Sequence, residues 1–294
     1  MLCPSCGTSS NREGARFCRV CGKPLYAPQA SHFVEVSYED AGRLRQLDLC
    51  FVMDATGSMG SYIEATRKEL EHFARTLSSH DIHPDACYGL VLYRDHIGSA
   101  RDVVTQRYPF TANLQDLQDF LEGTHARGGG GDGPEAVADG LYDGCYVMPW
   151  RENSHKVMVL VGDAPPHGVG GRRDNYPEGC PCGRDPLAIS RYARARGIVV
   201  FSLGIGDNRW MRESFEQIAR HGGGKFVTIS GADTLIDEIL LLLQPEFDKV
   251  SIDLRVFSAY RPDSTPQSIA ATTGLDVGEV DESMNRLRQK KMIR

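Results

Sequence analysis

From Leu47 onward, six short apolar runs alternate with stretches of helical periodicity, and this alternation restricts the fold more than any other feature. The runs are LDLCFVM, CYGLVLY, VVTQRYPF, KVMVLVG, IVVFSLGI and KFVTIS. Strands that are apolar on both faces belong to a mostly parallel sheet covered by helices on each side. The stretches SYIEATRKELEHFARTL, NLQDLQDFLEG, PEAVADGLYDGCYV, PLAISRYARARG, WMRESFEQIARHG and ADTLIDEILLLLQ supply that cover. The pattern predicts an α/β fold: a doubly wound, mostly parallel, six-stranded sheet. Ligands of such sheets bind beyond the carboxyl ends of the strands, where strand order reverses.

Acids stand at those ends. In FVMDATGSMGSY, Asp54 follows the first apolar run, and Thr56 and Ser58 come at alternate positions. An extended turn would aim all three side chains at one point, and converging hard oxygens suit Mg²⁺ or another hard divalent ion. Taken alone, the spacing also fits an aspartate that caps a helix starting near Met59. GGGGDGPEAVADGL brings Asp132 and Glu135 to the opening of another helix, and VMVLVGDAPPHG ends a second apolar strand in Asp163. Three acid-bearing loops among core elements are more than independent caps require.

Together these motifs resemble the von Willebrand factor A (vWA) family and its metal-ion-dependent adhesion site, across residues 45–247. The resemblance implies that Asp54, Thr56 and Ser58 hold the ion from the first loop and Asp163 from the third. The second loop, DGPEA, resembles that of integrin β-type domains. It implies Glu135 in the place of the commoner threonine, and Asp132 at the same or a neighbouring cation. The stretches GDA, PPHG and DNYPEG look like the bacterial and α-kinase-linked branch of the family. Mg²⁺, or Mn²⁺ or Ca²⁺, is the implied cofactor, and a Glu or Asp of a partner protein would complete its coordination. Closure of the site would shift the helix TLIDEILLLLQPEF.

The flanks differ from this body. LCPSCGTSSNREGARFCRVCGKPL pairs Cys3 with Cys6 and Cys18 with Cys21, each pair followed by glycine. Four thiolates in such turns suit tetrahedral Zn²⁺, and the segment resembles a zinc ribbon. It has too few apolar side chains to fold by burial, so the metal would hold it together. Domain bounds are expected at 1–26 for the ribbon, 27–44 for a linker, 45–247 for the vWA body, 248–264 for a strand or linker, and 265–294 for a small helical module. In that module PQSIAATTG, a turn at Gly274 and a helix from VGEV onward resemble the helix-turn-helix of winged-helix domains. Ile269, Ala270, Leu275, Val280, Met284 and Leu287 would form its core.

Charge and motif content exclude several functions. The formal net charge is −6 with both flanks net basic, so the acidic excess lies in the middle and opposes broad binding to nucleic acid or an anionic membrane. VMVLV and ILLLL are far short of a membrane span, and no signal-peptide pattern opens the chain. Paired CxxC spacing suits a reducing compartment, so a cytoplasmic protein is expected, and the branch resemblance implies a bacterial one. Gly128–Gly133 is not followed by GK[ST], Thr56 stands where a DxDxT phosphotransferase needs an acid, and GxSxG is absent. A non-enzymatic adaptor is therefore expected. The alternative is a DNA-binding regulator that uses the C-terminal helix-turn-helix, with its basic RLRQKKMIR, and the zinc ribbon, the vWA domain sensing a partner; a metal-dependent hydrolase is the third. His167 reads as a solvated loop residue, and Cys180 and Cys182 as ordinary loop thiols, because CxC alone leaves the ligand count short. YRDH, residues 93–96, reads as structural charge pairing, and Cys50, Cys87 and Cys145 as core packing.

Overall fold

The computed structural model describes residues 8, 9, 20, 42–79, 82–96, 103–128, 133–170 and 173–294. The expected zinc ligands Cys3, Cys6, Cys18 and Cys21, most of the 27–44 linker, and Asp132 lie outside the described residues.

All six apolar runs are strands: β1 Gln46–Asp54, β2 Asp85–Tyr93, β3 Thr105–Thr111, β4 His155–Gly162, β5 Ile198–Ile205 and β6 Gly223–Ile229. They form one sheet in the order β3-β2-β1-β4-β5-β6, parallel throughout except for β3, which pairs antiparallel with β2. The chain winds outward from β1 in one direction, then returns through β4 and winds the other way. The switch therefore falls between β1 and β4, a predicted ligand position.

Alternation along β1 divides the core in two. Leu47, Leu49, Phe51 and Met53 enter one apolar layer, and Cys50 and Val52 enter the other. The first layer is closed by α1 (Gly60–Ser78), α2 (Leu114–Glu122) and α6 (Leu235–Ala259). The second is closed by α3 (Val137–Tyr142), α4 (Pro186–Ala195) and α5 (Arg209–Gly222). Gly140 lets α3 lie close on the sheet, because a Cβ there would stand 2.9 Å from Val52 and 2.7 Å from Tyr93. Helix α3 is shorter than the expected 134–147, since the chain widens into a π turn over Asp143–Val147.

The segment 248–264, expected as strand or linker, is helical through Ala259 because α6 runs for 25 residues past Pro245. Proline removes one donor and usually stops a helix. Here Ile236, Ile239, Leu243, Phe247 and Val250 keep one continuous buried row across it, and packing outweighs the lost bond. Beyond that row, Val256 enters a third apolar cluster with Leu44, Ile269, Ala270, Val280, Met284, Leu287 and Ile293. These come largely from α7 (Pro266–Thr273) and α8 (Val277–Gln289), each opened by a reciprocal cap, Thr265 with Ser268 and Asp276 with Glu279. Gly274, at φ +71°, makes the turn between them. Two helices and a turn stand where expected, but they share α6 with the main body. Among the described residues no strand follows α8, and no helix is long and apolar enough to cross a membrane.

Candidate metal centre

Asp54 is the last residue of β1 and is fully buried. The chain then turns so that the Thr56 N–H and hydroxyl both donate to Asp54 Oδ1, each at 2.7 Å. Ser58 Oγ lies 3.4 Å from Thr56 Oγ1, which strings the three side chains together at the rim. Asp54 is not a helix cap: its acceptor serves Thr56, and α1 begins without a side-chain cap. Among the described residues, Asp54 Oδ2 is buried with no hydrogen-bond partner.

Backbone bonds bring the other two loops to the same rim. The Ala55 N–H donates to Tyr93 O at 2.8 Å, and Gly57 N–H to Gly128 O at 3.2 Å. Glu135, which is buried just before α3, donates its N–H to Pro165 O at 2.9 Å, and Ala136 N–H reaches Arg94 O at 2.8 Å. A parallel bridge joins Glu135 to Pro166, in the loop opened by Asp163 after β4. Asp163 is half-buried and Ser58 exposed, so the cluster opens to solvent on one side. Gly162 permits the crowding beneath, since a Cβ there would collide with the Tyr93 hydroxyl and stand 3.4 Å from Asp54 Cβ.

The electrostatics report the same convergence. Burial pushes the Asp54 carboxyl up to about 7, with the charge of Asp163 adding to it, against the two bonds from Thr56 and the charge of Arg94. Tyr93 is held well above its usual value, first by burial and then by the charges of Asp54, Asp163 and Glu135. One ring thus senses all three acids. A buried, unpartnered carboxylate oxygen among hydroxyls and further carboxylates fits a hard divalent cation. Asp54, Thr56 and Ser58 are strung together by their side chains, and backbone bonds place Glu135 beside the loop opened by Asp163 on the same rim.

Expectations about His167 and the Cys180/Cys182 pair change, whereas the structural pairing expected of YRDH holds. His167 is buried, not solvated: Nε2 lies 2.8 Å from Asp95 Oδ1 and Nδ1 lies 2.9 Å from Asp174 Oδ1. In YRDH, Arg94 donates to Gln106 of β3 and Asp95 meets His167, so the stretch ties the end of β2 to β3 and to the loop after β4. Cys180 and Cys182 have close partners that spacing could not reveal, His96 and Asp139. Cys50 and Cys145 are buried in the second apolar layer, as core packing predicts, whereas Cys87 is half-buried and outside the core clusters. Sequence reading also missed Asp48, a fully buried acid in β1 that accepts from Arg151 Nε at 2.7 Å and Ser154 Oγ at 2.9 Å.

A sheet of this order with acid-bearing loops at its switch defines a vWA-type fold. The chain belongs to the von Willebrand factor type A domain family, whose model matches residues 48–240. Domains of this family typically mediate metal-dependent protein–protein interaction. Over 142 residues the chain is 34% identical to the alpha-protein kinase vwkA of Dictyostelium discoideum, covering 47% of this chain and 22% of that protein. Over 133 residues it is 31% identical to the putative ariadne-like RING finger protein R811 of Acanthamoeba polyphaga mimivirus, covering 44% of this chain and 12% of that one. Proximal thread matrix protein 1 from the mussel byssus has a similar fold, with a TM-score of 0.51 at 17% identity over 68% of this chain and 46% of its own. The pilus adhesin SpaC from Lactobacillus rhamnosus GG gives 0.50 at 15% identity over 71% and 30%.

Proposed function

We propose that this chain is a non-enzymatic adaptor that captures a partner protein through a divalent cation held by Asp54, Thr56, Ser58, Glu135 and Asp163. The observation that carries the reading is Asp54 Oδ2, buried at the rim with no hydrogen-bond partner among the described residues. Hard oxygens select Mg²⁺, Mn²⁺ or Ca²⁺ over softer ions. A cation bound there supplies an open coordination position for a Glu or Asp side chain of the partner. The two Thr56 bonds orient Asp54 beforehand, and exposed Ser58 and half-buried Asp163 leave the approach clear. Asp132 is assigned to an adjacent cation, and Cys3, Cys6, Cys18 and Cys21 to Zn²⁺ in an N-terminal docking knob. The relatives are named as a kinase and a RING finger protein, and each shares only a minor part of its length with this chain. A capture module used beside different activities fits that distribution.

Duplex-DNA binding by α8 and its tail is the competing reading, and the placement of the cations weakens it. Arg286 is engaged by Asp253, and the Lys290 ammonium is shut away from solvent, which leaves Arg288, Lys291 and Arg294 exposed. The test is Mg²⁺ calorimetry on the full chain, followed by binding of a peptide library with one fixed Glu. Wild type is expected to take up Mg²⁺ and retain Glu peptides. EDTA, Asp54→Ala, or a Gln at the fixed position should each abolish retention. Equal retention under all of these conditions overturns the reading.

A further inference from the structure

We propose that His96, Asp139, Cys180 and Cys182 form a zinc site, independent of the carboxylate centre at Asp54. The four residues come from three places on the rim: the loop after β2, the first turn of α3, and the end of the long β4–α4 loop. Their donor atoms all lie within 4.8 Å of one another. His96 Nε2 is 2.8 Å from Asp139 Oδ2 and 3.1 Å from Cys180 Sγ. Asp139 Oδ2 is 3.1 Å from Cys180 Sγ and 3.2 Å from Cys182 Sγ. The two sulfurs are 2.6 Å apart, longer than a disulfide bond at about 2.05 Å and shorter than an ordinary thiol contact.

Two sulfurs, one imidazole nitrogen and one carboxylate oxygen make up a four-ligand zinc set, and the thiolates disfavour the hard cations suited to Asp54. A tetrahedron with zinc–ligand lengths of about 2.0–2.3 Å needs donors about 3.3–3.8 Å apart. The separations just given are shorter than this, most of all that of the two sulfurs, by about 1.2 Å, and the partly exposed His96 and exposed Cys182 have room to move outward. With zinc bound, two thiolates and Asp139 leave a single excess negative charge. The guanidinium of Arg184 faces it, bonded to Asp139 Oδ1 and lying 3.9 Å over the Tyr142 ring.

The ligand loops are fastened without the metal. The His96 N–H donates to Asp95 Oδ1 at 2.6 Å, Asp95 meets His167, and His167 meets Asp174 in the loop that ends in the cysteines. Four protein ligands leave no open position, so the site is structural. It pins the far end of the loop that Asp163 begins, and so braces the rim from behind.

The test is the zinc content of the full chain by mass spectrometry, after exhaustive dialysis against metal-free buffer. The Cys180→Ser/Cys182→Ser variant should hold one zinc fewer per chain than wild type, and the same difference should appear in an Asp54→Ala background. Because the double variant can misfold, alkylation of Cys182 in the wild-type chain is read by peptide mapping. Zn²⁺ should slow it at least tenfold relative to chelated protein. An unchanged zinc count in a folded variant, equal alkylation with and without Zn²⁺, or a Cys180–Cys182 disulfide in the isolated chain overturns the assignment.

Discussion

Asp54 illustrates the tension between stability and function in one side chain. A buried carboxylate oxygen with no donor among the described residues, beside a second acid, disfavours the folded chain when no cation is present. Asp54→Asn keeps the oxygen that accepts from Thr56 and removes the charge. In EDTA this variant is expected to gain about 1–3 kcal/mol in urea unfolding, while the stabilisation that Mg²⁺ gives wild type disappears. A loss of stability in EDTA would show that Asp54 is matched to its surroundings without a metal. The spacing of Asp54, Thr56 and Ser58 is readable in the sequence because all three lie in one turn. The roles of His167 and Asp139 are not, since their partners stand 72 and 43 positions away in the chain.

At the scale of elements, the β4–α4 loop is organised by a buried His167. Burial pulls its protonation down, but the bonds and charges of Asp95 and Asp174 outweigh it and raise it above the ordinary 6.5. The rings of His96, at 6.1 Å, and Tyr176, at 5.0 Å, complete its surroundings. A folded value above the unfolded one means the stabilisation is fully present below the unfolded value and is lost as pH rises through the folded one. Limited proteolysis within residues 164–179 should therefore accelerate above pH 6.5, in step with the His167 imidazole titration followed by NMR. His167→Gln should flatten that dependence, and an unchanged pH profile in the variant would refute this role. Helix α6 carries the other lesson at this scale. Pro245 reads as a terminator by local chemistry, yet the buried row on both sides of it keeps the helix intact.

In the whole molecule, α6 belongs to two cores at once, and Asp253 is the joint between them. Fully buried, it accepts from Ser283 Oγ at 2.7 Å and from Arg286 Nη2 at 2.7 Å on α8, with His155 Nε2 of β4 3.7 Å away. Asp253→Ala leaves these donors without their acceptor and is expected to cost about 3 kcal/mol, read by chemical unfolding, with exchange protection lost first in α7 and α8. Uniform loss of protection across the sheet would instead mean that the helices and body unfold as one unit. The strands, their alternation with helices and the first-loop acid were determined by sequence alone, because periodicity and short-range turns are local properties of the chain. Tertiary structure decided the rest: the length of α6, the fusion of the C-terminal helices to the body, and the meeting of His96 and Asp139 with Cys180 and Cys182. Those outcomes depend on contacts between distant segments, whose free energy exceeds local preference and leaves no periodic trace in the order of residues.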